Sequence, residues 1–429
     1  MATFLNAGTG LDGNITVSSA VDLDTTAVAD DRTYADMINY NVSAIGGSSL
    51  TTTATPNGII SGDEVILISM QGIRQGDYTN VGNYEFFIVD EVNGTTVTFT
   101  ESITKYYGTG SSNSDLGTGD YNHKVILMRI PQYNNVTINS GGNLRGSTWD
   151  PGPKGGIICF RASGTVLINS GGAINMSGRG YKGGYNGHLQ SITGGGLRGN
   201  PTTSVNNGPG SSQSTDRGGT YVNDLYGFGT YGEETLLQRL HLGTGGVGTK
   251  KGESTGSGGP GGGIIAIFTT ELIVYGSVLV RSGSGWGAAG AAFQATGPGG
   301  SLLIQAQTFS NNTPNILATP DSTYVGSYPG DVGRIALYYG SYNTITGIAP
   351  TPYLEELSPP YKISGNVSEN SKIYIYNSND GELIKSEAVS IGAFSISLLS
   401  SDPVNVLGVA DATNKNLMGF RDVIPVIAQ

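Results

Sequence analysis

The chain has 429 residues, of which 69 are glycine and 13% are charged, and its formal net charge is -11. This acidic balance excludes binding to nucleic acid through the phosphate backbone, because such binding needs a basic face. The single cysteine, Cys159, excludes an intrachain disulfide, and no apolar run is long enough to span a membrane. The first residues lack the basic and apolar segments of a secretory signal, so we expect a protein released by lysis, as parts of a virion are.

The first part of the chain predicts a β module over residues 1–130. Its strands are expected in SGDEVILISMQG, NYEFFIVDEVNGTTVTFT and KVILMRIP. Asn93-Gly94 is a typical two-residue hairpin signal between alternating apolar residues. A small barrel-like unit would satisfy this pattern.

Residues 131–358 contain repeats. NVTINSGGNL at Asn135 returns as TVLINSGGAI at Thr165, and GGIICF at Gly155 returns as GGIIAIF at Gly262. Shorter versions follow as GGSLLIQ and VGRIALYY. Repeated units that bury a core only against their neighbours indicate a solenoid, here one resembling a parallel β-helix. Its predicted interior contains Ile157, Ile158, Ile264, Ile265, Leu302 and Leu303.

A glycine-rich insert interrupts this solenoid between Gly180 and Gly262. Two interpretations stay open: a flexible insert, or packed glycine helices of the polyproline II type, which the interspersed aromatic residues favour. Within the insert, EETLLQRLHL predicts a helix over Glu233–Leu242, with acidic residues at its start and Gly243 as its stop.

Pro359-Pro360 marks a boundary, and residues 359–429 predict a small β-sandwich. The segments SGNV, IYIYN, DGELI, GAFSISL and VLGVAD resemble a carboxypeptidase-regulatory-like module found at the end of many phage virion proteins. GSGGPGGGIIAIFTTELIVYGSVLV is similar to glycine-rich segments of phage tail fibres and surface adhesins, including the tips of T-even-type adhesins. The resemblance implies a structural virion protein and carries no catalytic residue.

The residues themselves offer no clear catalytic site. The acids nearest the insert have no paired spacing, and they are Asp216, Asp224, Glu233, Glu234 and Asp331. Three distant histidines, His123, His188 and His241, have no metal-ligand spacing. We therefore expect no enzymatic activity, no cofactor and no metal, with a capsule polysaccharide depolymerase as the alternative.

The expected function is a tail fibre, spike or capsid decoration subunit, located in the virion, that recognises a host surface or glycan. Predicted binding residues are Tyr221, Tyr226, Tyr231 and Trp286, since exposed aromatic rings stack on sugars. Expected partners are other virion subunits, in a homotrimer or larger assembly. A cellular surface-layer or adhesin protein, on the extracellular surface, is the remaining alternative.

Overall fold

The structure is a computed structural model, and every regular element that it describes is a β-strand. The all-β prediction is confirmed over this part of the chain. One compact unit spans Asn6–Glu355, and a smaller one contains Glu356–Gln429. The described residues are 5–30, 32–73, 77, 79–119, 121–149, 155–183, 232–246, 256–284, 286–287, 296–312, 315–321, 330–357, 361–367, 370–377, 383–398, 404–410, 417–423 and 426–427.

The strands, in chain order, have the following bounds. The first eleven are β1 (Ile15–Val17), β2 (Ala20–Asp22), β3 (Asn39–Ile45), β4 (Ser49–Thr52), β5 (Glu64–Gln71), β6 (Tyr84–Asn93), β7 (Thr96–Phe99), β8 (Lys124–Arg129), β9 (Gln132–Tyr133), β10 (Val136–Ile138) and β11 (Asn143–Arg145). The next eleven are β12 (Ile157–Ile168), β13 (Ala173–Asn175), β14 (Gly256–Ser257), β15 (Ile264–Val274), β16 (Ser277–Leu279), β17 (Trp286–Gly287), β18 (Ser301–Asn311), β19 (Ile316–Leu317), β20 (Arg334–Tyr342), β21 (Ile348–Ala349) and β22 (Tyr353–Glu356). The last seven are β23 (Tyr361–Val367), β24 (Ser371–Asn377), β25 (Leu383–Val389), β26 (Gly392–Leu398), β27 (Val404–Ala410), β28 (Leu417–Val423) and β29 (Val426–Ile427).

Two sheets, parallel in every pairing that the structure describes, form a stack of coils resembling a β-helix. One has the order β1-β10-β12-β15-β18-β20-β22, and the other has the order β2-β11-β13-β16-β19-β21. Val136 lies beside Val166, so the two NSGG repeats stack at their thirty-residue offset. Ile157 pairs with Ile264, as the GGIICF and GGIIAIF repeats predict. We call these two sheets the parallel stack.

The first six residues of β12, β15 and β18 are buried on both faces of the sheet. The six residues from Ile157 to Ala162 are all buried, as are those from Ile264 to Thr269. All six residues predicted for the interior are buried, but they do not all point into the stack: Ile157, Ile264 and Leu303 share one face of the sheet, and Ile158, Ile265 and Leu302 share the other. Because side chains alternate between the faces of a strand, only every second one points into the stack. The others lie beneath residues that come from elsewhere in the chain.

A closed barrel supplies part of that cover. Its strand order is β3-β4-β7-β6-β5-β8, and Asn93 pairs with Thr96 across the hairpin turn at Gly94. The barrel core includes Leu67, Leu127 and the stacked rings of Phe87 and Phe99, whose centroids are 4.6 Å apart. The barrel is an insertion between the first two coils, since β1 and β2 pair with strands of the parallel stack.

Arg161 joins the barrel to the parallel stack. From β12, its guanidinium contacts both carboxylate oxygens of Glu64 in β5 at 2.6 Å. It also lies 4.9 Å from the ring centroid of Phe86 in the barrel and 4.5 Å from that of Phe268 in the stack. Both charged side chains are almost fully buried. A second pair of bonds, from Arg129 in β8 to Asp12 and Asp63 at 2.8 Å each, fixes the chain just before β1.

Five glycine-rich segments pack backbone against backbone beside the long strands, and we call them the glycine stack. They are 178–183, 243–246, 256–263, 296–300 and 330–333. The amide of Gly243 donates to Gly262 at 2.8 Å, that of Gly262 to Pro298 at 3.0 Å, and that of Gly299 to Asp331 at 3.2 Å. A Cβ at Gly243 would lie 2.6 Å from the Gly299 carbonyl oxygen. Glycine is needed here for close approach, which favours the packed interpretation over the described part of the insert.

The helix predicted over Glu233–Leu242 is wrong. Residues 232–242 form an irregular segment, which we call the strap, and Leu236 has a φ of 55°. Its carbonyls serve neighbours instead of a helix: Leu236 accepts from the Tyr84 hydroxyl of the barrel at 2.9 Å, and Thr235 accepts from the Tyr338 hydroxyl of β20 at 2.8 Å. Three of the leucines that gave the segment its helical spacing, Leu236, Leu240 and Leu242, are buried in this irregular conformation.

The strap also places a histidine where protonation is unfavourable. The His241 imidazole is fully buried against Gly82, and burial lowers its pKa to about 3, aided by the charges of Arg239 and Arg334.

We expect the free energy of unfolding to fall as the pH drops from 6.5 towards 3. In that range His241 is protonated in the unfolded chain but stays neutral in the folded protein. The free energy of unfolding therefore falls by up to about 1.4 kcal/mol for each pH unit. Urea denaturation between pH 4 and 7 measures the slope, and His241→Phe keeps a ring but removes the titration. An unchanged slope in this variant would show that His241 does not set the acid sensitivity.

The smaller unit contains two antiparallel sheets. One has the order β26-β23-β29 and the other β25-β24-β27-β28. Ile373 and Ile375 of β24 and Ile396 of β26 are buried, so both sheets contribute to a core.

Candidate functional site

The residues predicted to bind lie largely beyond what the structure describes. Tyr221, Tyr226 and Tyr231 fall outside the described residues. Trp286 begins β17 and pairs with Ser257 of β14, and its side chain is also outside the described set. These four residues stay a prediction.

The described part of the chain contains a cleft of about 380 Å³ at the last coils of the parallel stack. The strap supplies one residue, β20 and the residue before it supply three, and the loop after β21 with the start of β22 supplies five. The lining residues are Glu234, Gly333, Arg334, Ile335, Pro350, Thr351, Pro352, Tyr353 and Leu354.

Tyr353 presents an aromatic ring in this cleft. Its ring centroid lies 5.9 Å from that of Tyr338, which is buried beneath the strap. The Tyr353 hydroxyl donates to Glu355 at 2.7 Å. This hydrogen bond raises the pKa of Tyr353, while burial, followed by the charge of Glu355, raises the pKa of Tyr338. Both phenols therefore stay neutral at physiological pH, and the Tyr353 ring is held in place from two sides.

Two charged residues accompany the ring. Arg334 starts β20, next to the glycine stack, and Glu234 comes from the strap. A guanidinium donates hydrogen bonds and a carboxylate accepts them. Together with the apolar faces of Tyr353, Pro352 and Leu354, the cleft can hold a ligand that has both an apolar face and hydroxyl or charged groups.

Of the three described acids among those considered from the sequence, Glu234 alone lines the cleft. Glu233 accepts from the backbone amides of Gln238 and Arg239, which holds the strap in its turn. Asp331 is buried and bonded to the amide of Val332. Both serve the fold, while Asp216 and Asp224 lie outside the described residues.

Arg334, Tyr338 and Tyr353 were missed from the sequence. The first two lie in the repeat VGRIALYY, whose pattern indicates a buried strand of the solenoid rather than a binding site. A usable signal was the arginine at the strand start, where the preceding repeats have isoleucine or serine.

Two kinds of feature are absent from the described residues. These residues contain no group of three or more histidine, cysteine or acidic side chains placed to hold a metal. Within the same ranges, no helix is long and apolar enough to cross a membrane.

Comparison with known proteins gives only distant structural likeness. No family model and no curated protein matches the sequence. The chain is similar to three phage tailspikes. For gp49 of Pseudomonas phage LKA1 the identity is 13% and the TM-score 0.18, with 96% of this chain and 88% of that chain covered. For gp54 of Acinetobacter baumannii phage AP22, in complex with a capsular saccharide, the identity is 10% and the TM-score 0.17, with 90% of this chain and 84% of that chain covered. For gp61 of Pseudomonas phage phi297 the identity is 12% and the TM-score 0.17, with 91% of this chain and 83% of that chain covered.

The similarity to these three tailspikes corrects the expectation of no enzymatic activity. The prediction that the chain is not an enzyme is wrong as a firm statement, because it conflicts with neighbours that are tailspikes, one of them bound to a capsular saccharide. The TM-scores are too low to transfer any position from these proteins to this chain.

Proposed function

We propose that the chain is a structural subunit of a phage tail or spike, located in the virion, and that it recognises a glycan on the host surface. The parallel stack gives a rigid support, because neighbouring coils are hydrogen-bonded to one another through the strands of two sheets. The sequence resemblance to glycine-rich phage fibre segments supports the same assignment.

The cleft is the observation that supports glycan recognition most. The C–H face of a sugar ring packs against an aromatic ring, and its hydroxyls bond to charged and polar side chains. Tyr353 supplies the ring, and Arg334 and Glu234 supply a donor and an acceptor. The Tyr353 ring is pre-oriented by Tyr338 and Glu355, so little side-chain freedom is lost on binding.

The proposal assigns a role to each part of the chain. Within residues 1–130 the barrel would attach the protein to the virion, while β1 and β2 together with residues 131–358 would form the shaft with its glycine-rich insert. Residues 359–429 would form the β-sandwich. A homotrimer or larger assembly fits a fibre. Tyr221, Tyr226, Tyr231 and Trp286 are proposed to extend the glycan contact from the insert.

The insert has to be tested without removing the strap. A deletion from Gly187 to Gly252 would take away the buried Leu236, Leu240 and Leu242, and would expose the surfaces that they cover. A deletion that ends before Tyr231 keeps them.

Cleavage of the glycan in the same cleft is the second candidate function. Glycoside hydrolysis uses two carboxyl groups beside the scissile bond. Glu234 lines the cleft, and Glu355 is bonded to the Tyr353 hydroxyl. New reducing ends after incubation with host polysaccharide would select this candidate over binding alone.

We expect Tyr353→Ala to bind host surface polysaccharide roughly tenfold more weakly, because a lost stacking surface costs on the order of 1.4 kcal/mol. Binding of the full-length protein is measured by surface plasmon resonance on immobilised polysaccharide. Tyr275→Ala, which removes another half-exposed tyrosine away from the cleft, is the matched control. Equal affinities for the wild type and Tyr353→Ala would remove the cleft from the proposal.

A further inference from the structure

The smaller unit carries an aromatic row that the cleft does not involve. On β24, Lys372, Tyr374 and Tyr376 occupy alternate positions, while Ile373 and Ile375 between them are buried. Alternate residues share one face of a strand, so the row stands on the face opposite the core. Lys372 is exposed, and both tyrosines are half-buried.

The three side chains form an ordered array. The Tyr374 and Tyr376 rings are parallel within 17°, with centroids 6.5 Å apart. Two residues along a strand rise by about 6.8 Å, so the rings stand side by side as the backbone places them. The Lys372 ammonium lies 5.1 Å from the centroid of the Tyr374 ring. Interaction with the ring holds the ammonium at the end of the row.

The setting of the row excludes two kinds of occupant. β24 lies between β25 and β27 and pairs with both, so its backbone cannot accept a further strand. A stable protein interface buries about 800 Å² on each partner. A full aromatic side chain offers roughly 150–250 Å², and these two tyrosines are already half-buried. The row is therefore too narrow to be a protein interface by itself.

We propose that this row binds an acidic glycan chain, as a second site distinct from the cleft. A narrow line of parallel rings fits successive sugar rings of one chain, and the ammonium of Lys372 complements a sugar carboxylate. Single-stranded nucleic acid also stacks on aromatic rows, but it requires a groove with many positive charges along the phosphate backbone, and the row supplies one ammonium, that of Lys372.

Calorimetric titration of the full chain with alginate oligosaccharides, a polyuronate, tests the proposal. We expect binding that weakens with added salt, and neutral dextran to bind much less. Tyr376→Ala should lower the affinity roughly tenfold, and Lys372→Gln, at an exposed position that keeps the fold intact, about fivefold. Tyr275→Ala is the control, and Tyr353→Ala in the cleft should leave alginate binding at the row unchanged.

Three results would overturn the proposal. The first is that the wild type does not bind alginate. The second is that Lys372→Gln and Tyr376→Ala bind alginate as tightly as the wild type does. The third is that the wild type binds a single-stranded oligonucleotide more tightly than alginate. Loss of alginate binding in Tyr353→Ala alone would assign that ligand to the cleft and likewise overturn a second site. Because the two sets of variants lie in different units, failure at the row leaves the test of the cleft independent.

Discussion

Arg161→Met is expected to lower the free energy of unfolding by about 3–5 kcal/mol, since it leaves a buried carboxylate without its cation. The Glu64 carboxylate keeps one other described partner, the side-chain amide of Gln132 at 2.7 Å. The substitution also removes the planar guanidinium that lies against Phe86 of the barrel and Phe268 of the parallel stack. Urea denaturation monitored by tyrosine fluorescence measures the loss.

The double variant Arg161→Met with Glu64→Gln separates charge from packing. Removing both charges abolishes the desolvation penalty, so the double variant should be more stable than Arg161→Met alone. If the two substitutions were simply additive, the buried pair would not be what joins barrel and stack.

Gly300→Ala is expected to destabilise the protein by about 3 kcal/mol or more, as overpacking against rigid backbone does. A Cβ at this position would collide with the carbonyl oxygen of Gly263 and would lie 2.7 Å from both the carbonyl carbon and oxygen of Gly262. Backbone atoms in the glycine stack have no rotamer to change, so whole segments would have to separate.

Gly47→Ala is the matched control for this prediction. Nothing lies within 4 Å of its added Cβ, and its φ is not in the left-handed region. It should have the stability of the wild type or slightly more, because alanine restricts the unfolded chain. Equal melting of Gly300→Ala and Gly47→Ala would contradict close packing of the glycine stack.

The parallel stack was predictable because its repeats carry their own register. The turn at Asn139 stacks on the turn at Asn169, and the side-chain amide of Asn169 donates to the side-chain oxygen of Asn139 at 3.3 Å. Apolar runs after each glycine pair align in the same way, from Ile157 to Ile264 and on to Ser301. Local pattern and three-dimensional neighbour agree in these coils.

The strap and the first coil were not predictable in the same manner. Leu236 and Leu240 have helical spacing, but the barrel and β20 bind the backbone around them, which overrides local preference. The strands β1 and β2 have three residues each and precede a long barrel, so nothing local assigns them to the parallel stack.

The cleft depends on contacts between distant parts of the chain. Glu234 reaches it from the strap, and Tyr353 from the strand that ends the stack. Because these two residues are far apart in the sequence, no local pattern predicts that they share a cleft. The tyrosines from Tyr221 to Tyr231 were chosen only because they are close together in the sequence. Sequence reasoning pointed to tyrosines in the insert and not to the residues that the fold brings together in the cleft.

Hydrogen exchange of the full-length protein, with and without host surface polysaccharide, tests the central claim most directly. We predict slower exchange of the amides in 332–336, in 351–355 and in the strap around Glu234 when the polysaccharide is bound. Protection should be lost in Tyr353→Ala, while the barrel amides of β5 and β8 exchange at the same rate in both samples. Binding of the polysaccharide without any protection in these segments would contradict recognition at the cleft.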